Sequence, residues 1–458
     1  MPAERRSARD KCQLSLSGQL TMNEALARFH TRLGYGSSFL FLTVLWVGSL
    51  ARAQGVAPVG GSRVEPVTKP PLGSTPAVSF GSSGILFSTH DHRTRLQVHG
   101  YLQADNRFFS NAVEGVGFDK FLFRRLRPLV EGTLFNRLEF RFMPDFGQNN
   151  PQIQEAYLEL KSIPFAKLRV GKFKEPVGLE VLKSDRDLSF AERSLASDLA
   201  PLRYMGAEVS ASLFSESISY AIGYFNGAED GANGSFQWLH AHEAAARVFL
   251  RPFAATHVKA AQDFGMGAGG STGDQHGSLA GLKTVGQNTF FKYASTAVAN
   301  GPHNRFSPQA YYYGGPLGLL GEYVISSQIV LNKQITRRLT NEAWQVAGSV
   351  MLTGEKNSYT GVRPRFGFEP NRGFRHLGAI ELAFRYSQLR LDANAFPRFA
   401  NPINSAHTAT ERAIGVNWYL NRCVKLVTDY EMTRFRLAST SSTLHGEDVL
   451  MSRVQLAF

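Results

Sequence analysis

Cysteine is nearly absent from this 458-residue chain, which has only Cys12 and Cys423. Cys12 lies in a segment that reads as removed on export, so Cys423 stands alone. Neither a disulfide framework nor a thiolate metal cluster can be built from it. Long apolar runs are also missing. Mean hydropathy is −0.18, and nothing after Leu50 approaches the ~18 unbroken apolar residues of a membrane helix. That excludes a helical membrane protein but not a membrane barrel, whose lipid-facing residues alternate with lumen-facing ones. Acidic residues are scarce too, at 37 against 50 basic ones, for a formal charge of +13. Such an excess favours anionic partners.

The one apolar run, Phe39 to Leu50, follows Arg28 and Arg32 and precedes Ala51-Arg52-Ala53. A basic region, a short apolar region and A-x-A predict a secretory signal peptide over residues 1–53, with Met22 as an alternative start. Its removal takes away seven basic and three acidic residues, which lowers the formal charge from +13 to +9. Export argues against nucleic acid as the anionic partner. Residues 54–95 are rich in Gly, Pro and Ser and read as a flexible tail.

From residue 96 onward the chain alternates with period two. In Arg137-Leu138-Glu139-Phe140-Arg141-Phe142 and in Glu155-Ala156-Tyr157-Leu158-Glu159-Leu160-Lys161, charge occupies one face and apolar residues the other. Later strands are expected at residues 321–330, 342–353, 379–391, 411–420, 424–437 and 449–458. Short connections (Phe135-Asn136, Ser162–Ala166, Ser215–Ser217) alternate with long ones at residues 180–203, 226–239 and 265–286. Residues 354–376 are long as well but fall on the short-turn side by parity. Short turns on one rim and long loops on the other predict an all-β, antiparallel transmembrane barrel of about 16 strands over residues 96–458. The glycine-rich run Gly265–Gly270 reads as loop, since no Lys-Ser/Thr pair follows it.

The chain ends on an alternating strand, with Leu450, Val454, Leu456 and Phe458 on one face and Arg453 and Gln455 on the other. It resembles the closing strand of bacterial outer-membrane barrels, in which the last aromatic residue addresses the assembly machinery. Further motifs are Leu168-Arg169-Val170-Gly171-Lys172-Phe173-Lys174-Glu175-Pro176-Val177-Gly178, Phe190-Ala191-Glu192-Arg193-Ser194 and Ser307-Pro308-Gln309-Ala310-Tyr311-Tyr312-Tyr313. Gly318-Leu319-Leu320-Gly321-Glu322-Tyr323 and Gly415-Val416-Asn417-Trp418-Tyr419 complete the set. With these the chain resembles the phosphate-selective porins O and P. The resemblance implies a homotrimeric outer-membrane channel whose third loop, here about residues 180–203, folds into the lumen. It implies phosphate or polyphosphate as solute and no cofactor.

An anion channel needs fixed positive charge where the pore is narrow. Guanidinium forks pair with oxyanions, and several modest sites in series allow release. Candidates on the polar strand faces are Arg125, Arg127, Arg137, Arg141, Lys167, Arg169 and Arg385. Lys183, Arg186, Arg193 and Arg203 are candidates in the loop, with Lys174 at its root. Equally, these arginines can pair across strands with Glu139, Glu155, Glu159 or Glu381 and support the wall. Asp185, Asp187 and Asp198 in the loop weaken the anion reading. His90, His92, His240 and His242 read as solvated rather than metal-bound, and Tyr311–Tyr313 and Trp418-Tyr419 as an interfacial girdle. The alternatives are a non-selective porin, a barrel hydrolase and a secreted β-sandwich.

Overall fold

The computed structural model describes residues 77–81, 84–111, 118–163, 165–227, 229–234, 241–258, 261–373, 376–439 and 445–458. The signal peptide, most of the tail and His240 lie outside the described residues. Among the described residues twenty strands are formed: β1 (Ala77–Gly81), β2 (Gly84–Ser88), β3 (Arg95–Asn111), β4 (Lys120–Leu134), β5 (Leu138–Asp145), β6 (Gln152–Ile163), β7 (Ala166–Lys174), β8 (Arg203–Leu213), β9 (Ile218–Asn226) and β10 (His242–Leu250). They continue as β11 (Phe264–Gly277), β12 (Leu282–Lys283), β13 (Thr289–Phe291), β14 (Ala297–Gly314), β15 (Leu317–Asn332), β16 (Ile335–Met351), β17 (Ala379–Arg390), β18 (Ala406–Tyr419), β19 (Val424–Leu437) and β20 (Glu447–Ala457). Strands β3–β11 and β14–β20 pair antiparallel in chain order, and β20 returns to β3, so 16 strands close a barrel. The closure is completed by Phe458 and Gly100, which exchange backbone hydrogen bonds of 3.0 and 2.9 Å.

The alternation that predicts the strands also sets their two environments. Leu158, Val170, Ile222, Val346 and Val454 are each about half exposed or more, whereas Glu155, Glu159, Arg125 and Arg385 are buried. Apolar outside and charged inside is the reverse of a water-soluble fold, and lipid is the solvent in which that outer surface carries no penalty. Tight turns serve the rim that holds the carboxy terminus. One of them places Phe135 and Asn136 at φ 54° and 60°, the left-handed geometry that matches strand twist in a two-residue hairpin.

Three expectations are corrected. The glycine-rich stretch read as loop is the strand β11. Its inward glycines leave room for another segment: a Cβ on Gly269 would lie 2.5 Å from the Val177 carbonyl oxygen and 2.8 Å from that of Pro176. Tyr311 and Tyr313 are not girdle residues. They pack inward, with Tyr311 stacked on Phe249 and on Tyr359, each at 5.1 Å. Tyr419 is likewise buried, its hydroxyl donating to Glu381 at 2.8 Å. Within the stretch read as tail, β1 and β2 form a hairpin, and β2 pairs with Arg95–Val98 of β3. Those β3 residues lie beyond the reach of β20, whose partners on β3 start at Tyr101.

Candidate pore constriction

Residues 175–202 leave β7 after Lys174 and re-enter β8 at Arg203, the last pair of that ladder. The segment folds inward because it carries apolar residues that the lumen wall buries. Leu195, Ala196 and Leu199 pack with Val324, Leu339, Ala343 and Leu389 of β15–β17. Phe190 packs with Ala383 and Ala413, and Ala191 with Val449 and Met451. Each large side chain buried this way contributes on the order of 2 kcal/mol. The loop therefore spans the lumen from β7–β8 to the opposite wall.

Two loop carboxylates fix its height. Glu192 meets Arg107 at 2.7 Å, Arg124 at 2.5 Å, Arg125 at 3.5 Å and Arg453 at 3.4 Å. Asp185 meets Arg125 at 3.5 Å and Arg203 at 3.7 Å, and accepts close hydrogen bonds from Arg127 and Arg193. Burial raises both carboxyl pKa values. The guanidiniums (Arg125, Arg193, Arg127 and Arg203 for Asp185; Arg124, Arg125, Arg107 and Arg453 for Glu192) hold them well below the ordinary range. Both stay ionised. Wall carboxylates complete the network: Asp145 with Arg127 (2.6 Å), Asp105 with Arg453 (2.6 Å) and Glu155 with Arg203 (3.0 Å).

Backbone groups of the loop are satisfied from the wall. Glu322 accepts the N–H groups of Leu179 (2.6 Å) and Glu180 (3.2 Å) at the start of the single helical turn Leu179–Leu182. Asp429 accepts the N–H of Ala191 at 2.5 Å. Lys174 donates to the carbonyls of Leu182 and Lys183, and Lys425 to that of Leu188. From the short-turn rim, the long connection between β16 and β17 sends Tyr359 inward, its hydroxyl donating to the Leu179 carbonyl at 2.7 Å.

The loop separates two chambers. One of about 380 Å3, toward the long loops, is lined by Arg124, Arg125, Arg193 and Lys283 with Glu192, Asp198 and Asp230. Burial raises the carboxyl of Asp198 to about 7 against the Lys283 backbone N–H that it accepts. The other, of about 520 Å3, is lined by Arg141, Arg169, Lys174, Arg186, Arg203 and Arg247 against Glu131, Glu155, Asp185 and Glu208. The two meet at the Asp185 cluster, for Asp185 lines one while its partners Arg125 and Arg193 line the other.

Residues 96–458 match the family model described as phosphate-selective porin O and P. The chain belongs to this family. Porin O of Pseudomonas aeruginosa is 22% identical over 415 residues, covering 82% of this chain and 91% of that protein. Among solved structures, an anion-selective porin from Comamonas acidovorans has 11% identity and a TM-score of 0.51, covering 80% of this chain and 100% of its own. OmpT of Vibrio cholerae has 13% identity and a TM-score of 0.51, with coverage of 80% and 98%. The barrel is thus an outer-membrane porin, and its family is one of channels rather than enzymes.

Within this porin, Arg125, Arg127, Arg193 and Arg203 gather on Asp185, and Arg385 lies on the far side of the loop. Arg385 bonds Glu411 at 2.8 Å, Glu431 at 3.2 Å and the Glu192 carbonyl at 2.9 Å. Arg141 and Arg169 pair across strands, with Glu131 at 2.6 Å and Glu159 respectively. Lys174 serves the loop carbonyls, Lys183 lies over the rings of Tyr313 and Tyr359, and Arg186 is half exposed, 3.8 Å from Asp187. Arg137 sits in the exposed turn before β5. Lys167 opens β7 on the same rim.

Sequence reasoning missed Arg107, Arg124 and Arg247. Strict alternation puts Arg124 on the lipid face. In the structure the register shifts between Gln103 and Ala104, leaving Arg124 as the extra residue of a bulge. Two consecutive arginines then point into the lumen. Arg107 and Arg247 obey the alternation and were findable from strand parity alone.

Proposed function

We propose that this porin is a passive diffusion channel that prefers small anions, with inorganic phosphate as its main solute. One observation carries the reading. The chamber below the loop sets six basic side chains against four carboxylates, and among the described residues Lys174 and Arg247 have no carboxylate within 4 Å. An uncompensated positive wall of low dielectric raises the local anion concentration. The ion-paired arginines at Asp185 and Glu192 form the frame of the constriction, and the unpaired cations provide the selectivity. The names of the relatives, Porin O and an anion-selective porin, agree with this.

Residues 1–53 serve as the export signal and 54–76 as a tail, and the strand ending at Phe458 addresses the assembly machinery. The channel works as a homotrimer. A trimer form is recorded for Vibrio cholerae OmpT. Here an apolar hollow of about 490 Å3 on the outer wall, lined by Ala104, Phe121, Phe123, Thr428, Ser452 and Val454, offers a neighbour a place to pack.

Single-channel recording in chloride tests the solute. Millimolar phosphate should lower the chloride current, and Lys174→Glu should weaken that effect. A chloride current indifferent to phosphate would favour a non-selective porin on the same scaffold.

A further inference from the structure

Arg247, on β10, is the one arginine of the larger chamber whose guanidinium has no carboxylate partner among the described residues. Its Nε donates to Gln309 at 3.0 Å, and its plane lies 4.4 Å from the centre of the Phe249 ring. The Nη1 and Nη2 edge, which matches a carboxylate bidentately, bonds no described residue. The other arginines of the chamber are engaged: Arg141 with Glu131 and Glu155, Arg169 with Glu159, Arg203 with Glu155 and Asp185, and Arg186 beside Asp187.

The remaining wall sets apolar side chains beside the carboxylates Glu131, Glu155, Asp185 and Glu208. Tyr157 and Phe173 meet edge to face at 6.1 Å, with the Arg169 guanidinium 4.7 and 5.3 Å from their ring centres. Leu129 and Met143 line the same space. One free guanidinium edge suits a monoanion better than a multiply charged one. A wall of rings and aliphatic side chains stabilises a flat apolar body. The chamber's roughly 520 Å3 is in the range of small-molecule sites.

We infer that the chamber is a binding site for flat aromatic monocarboxylates, held by Arg247 through the carboxylate and by Tyr157, which Phe173 backs from behind, through the ring. The inference rests on the anion-channel reading and names a second class of solute for the same lumen.

Benzoate is the probe, with acetate and inorganic phosphate as comparators, each tested for the concentration that halves the chloride current. Benzoate should act at about one-tenth the concentration of acetate, which shares the charge but has no ring. Arg247→Gln should raise the benzoate value about tenfold, because the charge-assisted pair is lost, and raise the phosphate value by a smaller factor, because Lys174 and the other cations of the chamber remain. Arg247→Lys, which keeps the charge without the fork, should weaken benzoate as well. Equal potency of benzoate and acetate overturns the proposal, as does an unchanged benzoate value in Arg247→Gln. If Arg247→Gln does not fold, the benzoate–acetate comparison on the native protein decides alone. A cation-preferring native channel would sink the anion-channel reading separately, and calorimetric titration of the detergent-solubilised barrel with benzoate would still decide the site.

Discussion

Glu192 is a single carboxylate facing four guanidiniums, and removing one side of a buried ion pair costs ~3–5 kcal/mol. Glu192→Gln should therefore loosen the loop and expose Arg193 to trypsin, while shifting the zero-current potential toward stronger anion preference. An unshifted potential would mean that Glu192 is electrically remote from the ion path. Acid should do the same in stages. The folded pKa values of Asp185 and Glu192 are depressed, so their contribution is complete above the ordinary carboxylate values of 3.8 and 4.5. It is lost only as pH falls below them. Hydrogen-exchange protection of the loop amides, corrected for the intrinsic exchange rate at each pH, should accordingly hold from neutral pH down to about 5 and fail in stronger acid. Asp198 has the opposite sign. Its pKa is raised to about 7 by burial, against the Lys283 N–H bond that favours the ionised form, so its buried position is favoured as pH falls through that value while the bond to Lys283 is stronger above it. Asp198→Asn should flatten any conductance change between about pH 6 and 8. Most of these residue types were visible in the sequence, but their partners were not. Nothing local joins Glu192 to Arg453 across 261 positions, and the bulge that turns Arg124 inward shows only as a change of phase in the alternation, from Phe121 and Phe123 to Leu126.

At the scale of elements, the strands were legible where charge and apolar residues alternate, as in β5, β6 and β20. Recognition failed where a strand's inward face serves the loop instead of water. Strand β11 is the clearest case, since its inward glycines exist to admit the loop root and therefore read as a turn. Gly269→Ala would place a methyl against the carbonyls of Pro176 and Val177, an overpacking worth ~1–3 kcal/mol. It should lower thermal stability and alter single-channel conductance. Gly321→Ala, whose Cβ would meet only the Gln345 carbonyl at 3.6 Å, should do neither. Equal effects of the two would mean that the glycines of β11 do not position the loop. The inward aliphatic residues Val324, Leu339, Ala343 and Leu389 were opaque for the same reason, because a lumen face is expected to be polar.

The whole molecule is a closed sheet whose first and last barrel strands meet at Gly100 and Phe458, so its stability is not local to any one hairpin. Removing Phe458 should reduce the yield of heat-modifiable folded barrel more than it reduces synthesis of the chain, as electrophoresis of membrane fractions would show. Around that frame, the constriction is a loop tied down by ion pairs, and the cations left over give the lumen its sign. The zero-current potential of the native protein across a potassium chloride gradient tests this division most directly, measured beside Arg247→Gln and Lys174→Gln. An anion-preferring potential is expected in the native channel, and both substitutions should reduce it. A cation-preferring or neutral potential, or one that neither substitution moves, would contradict this division.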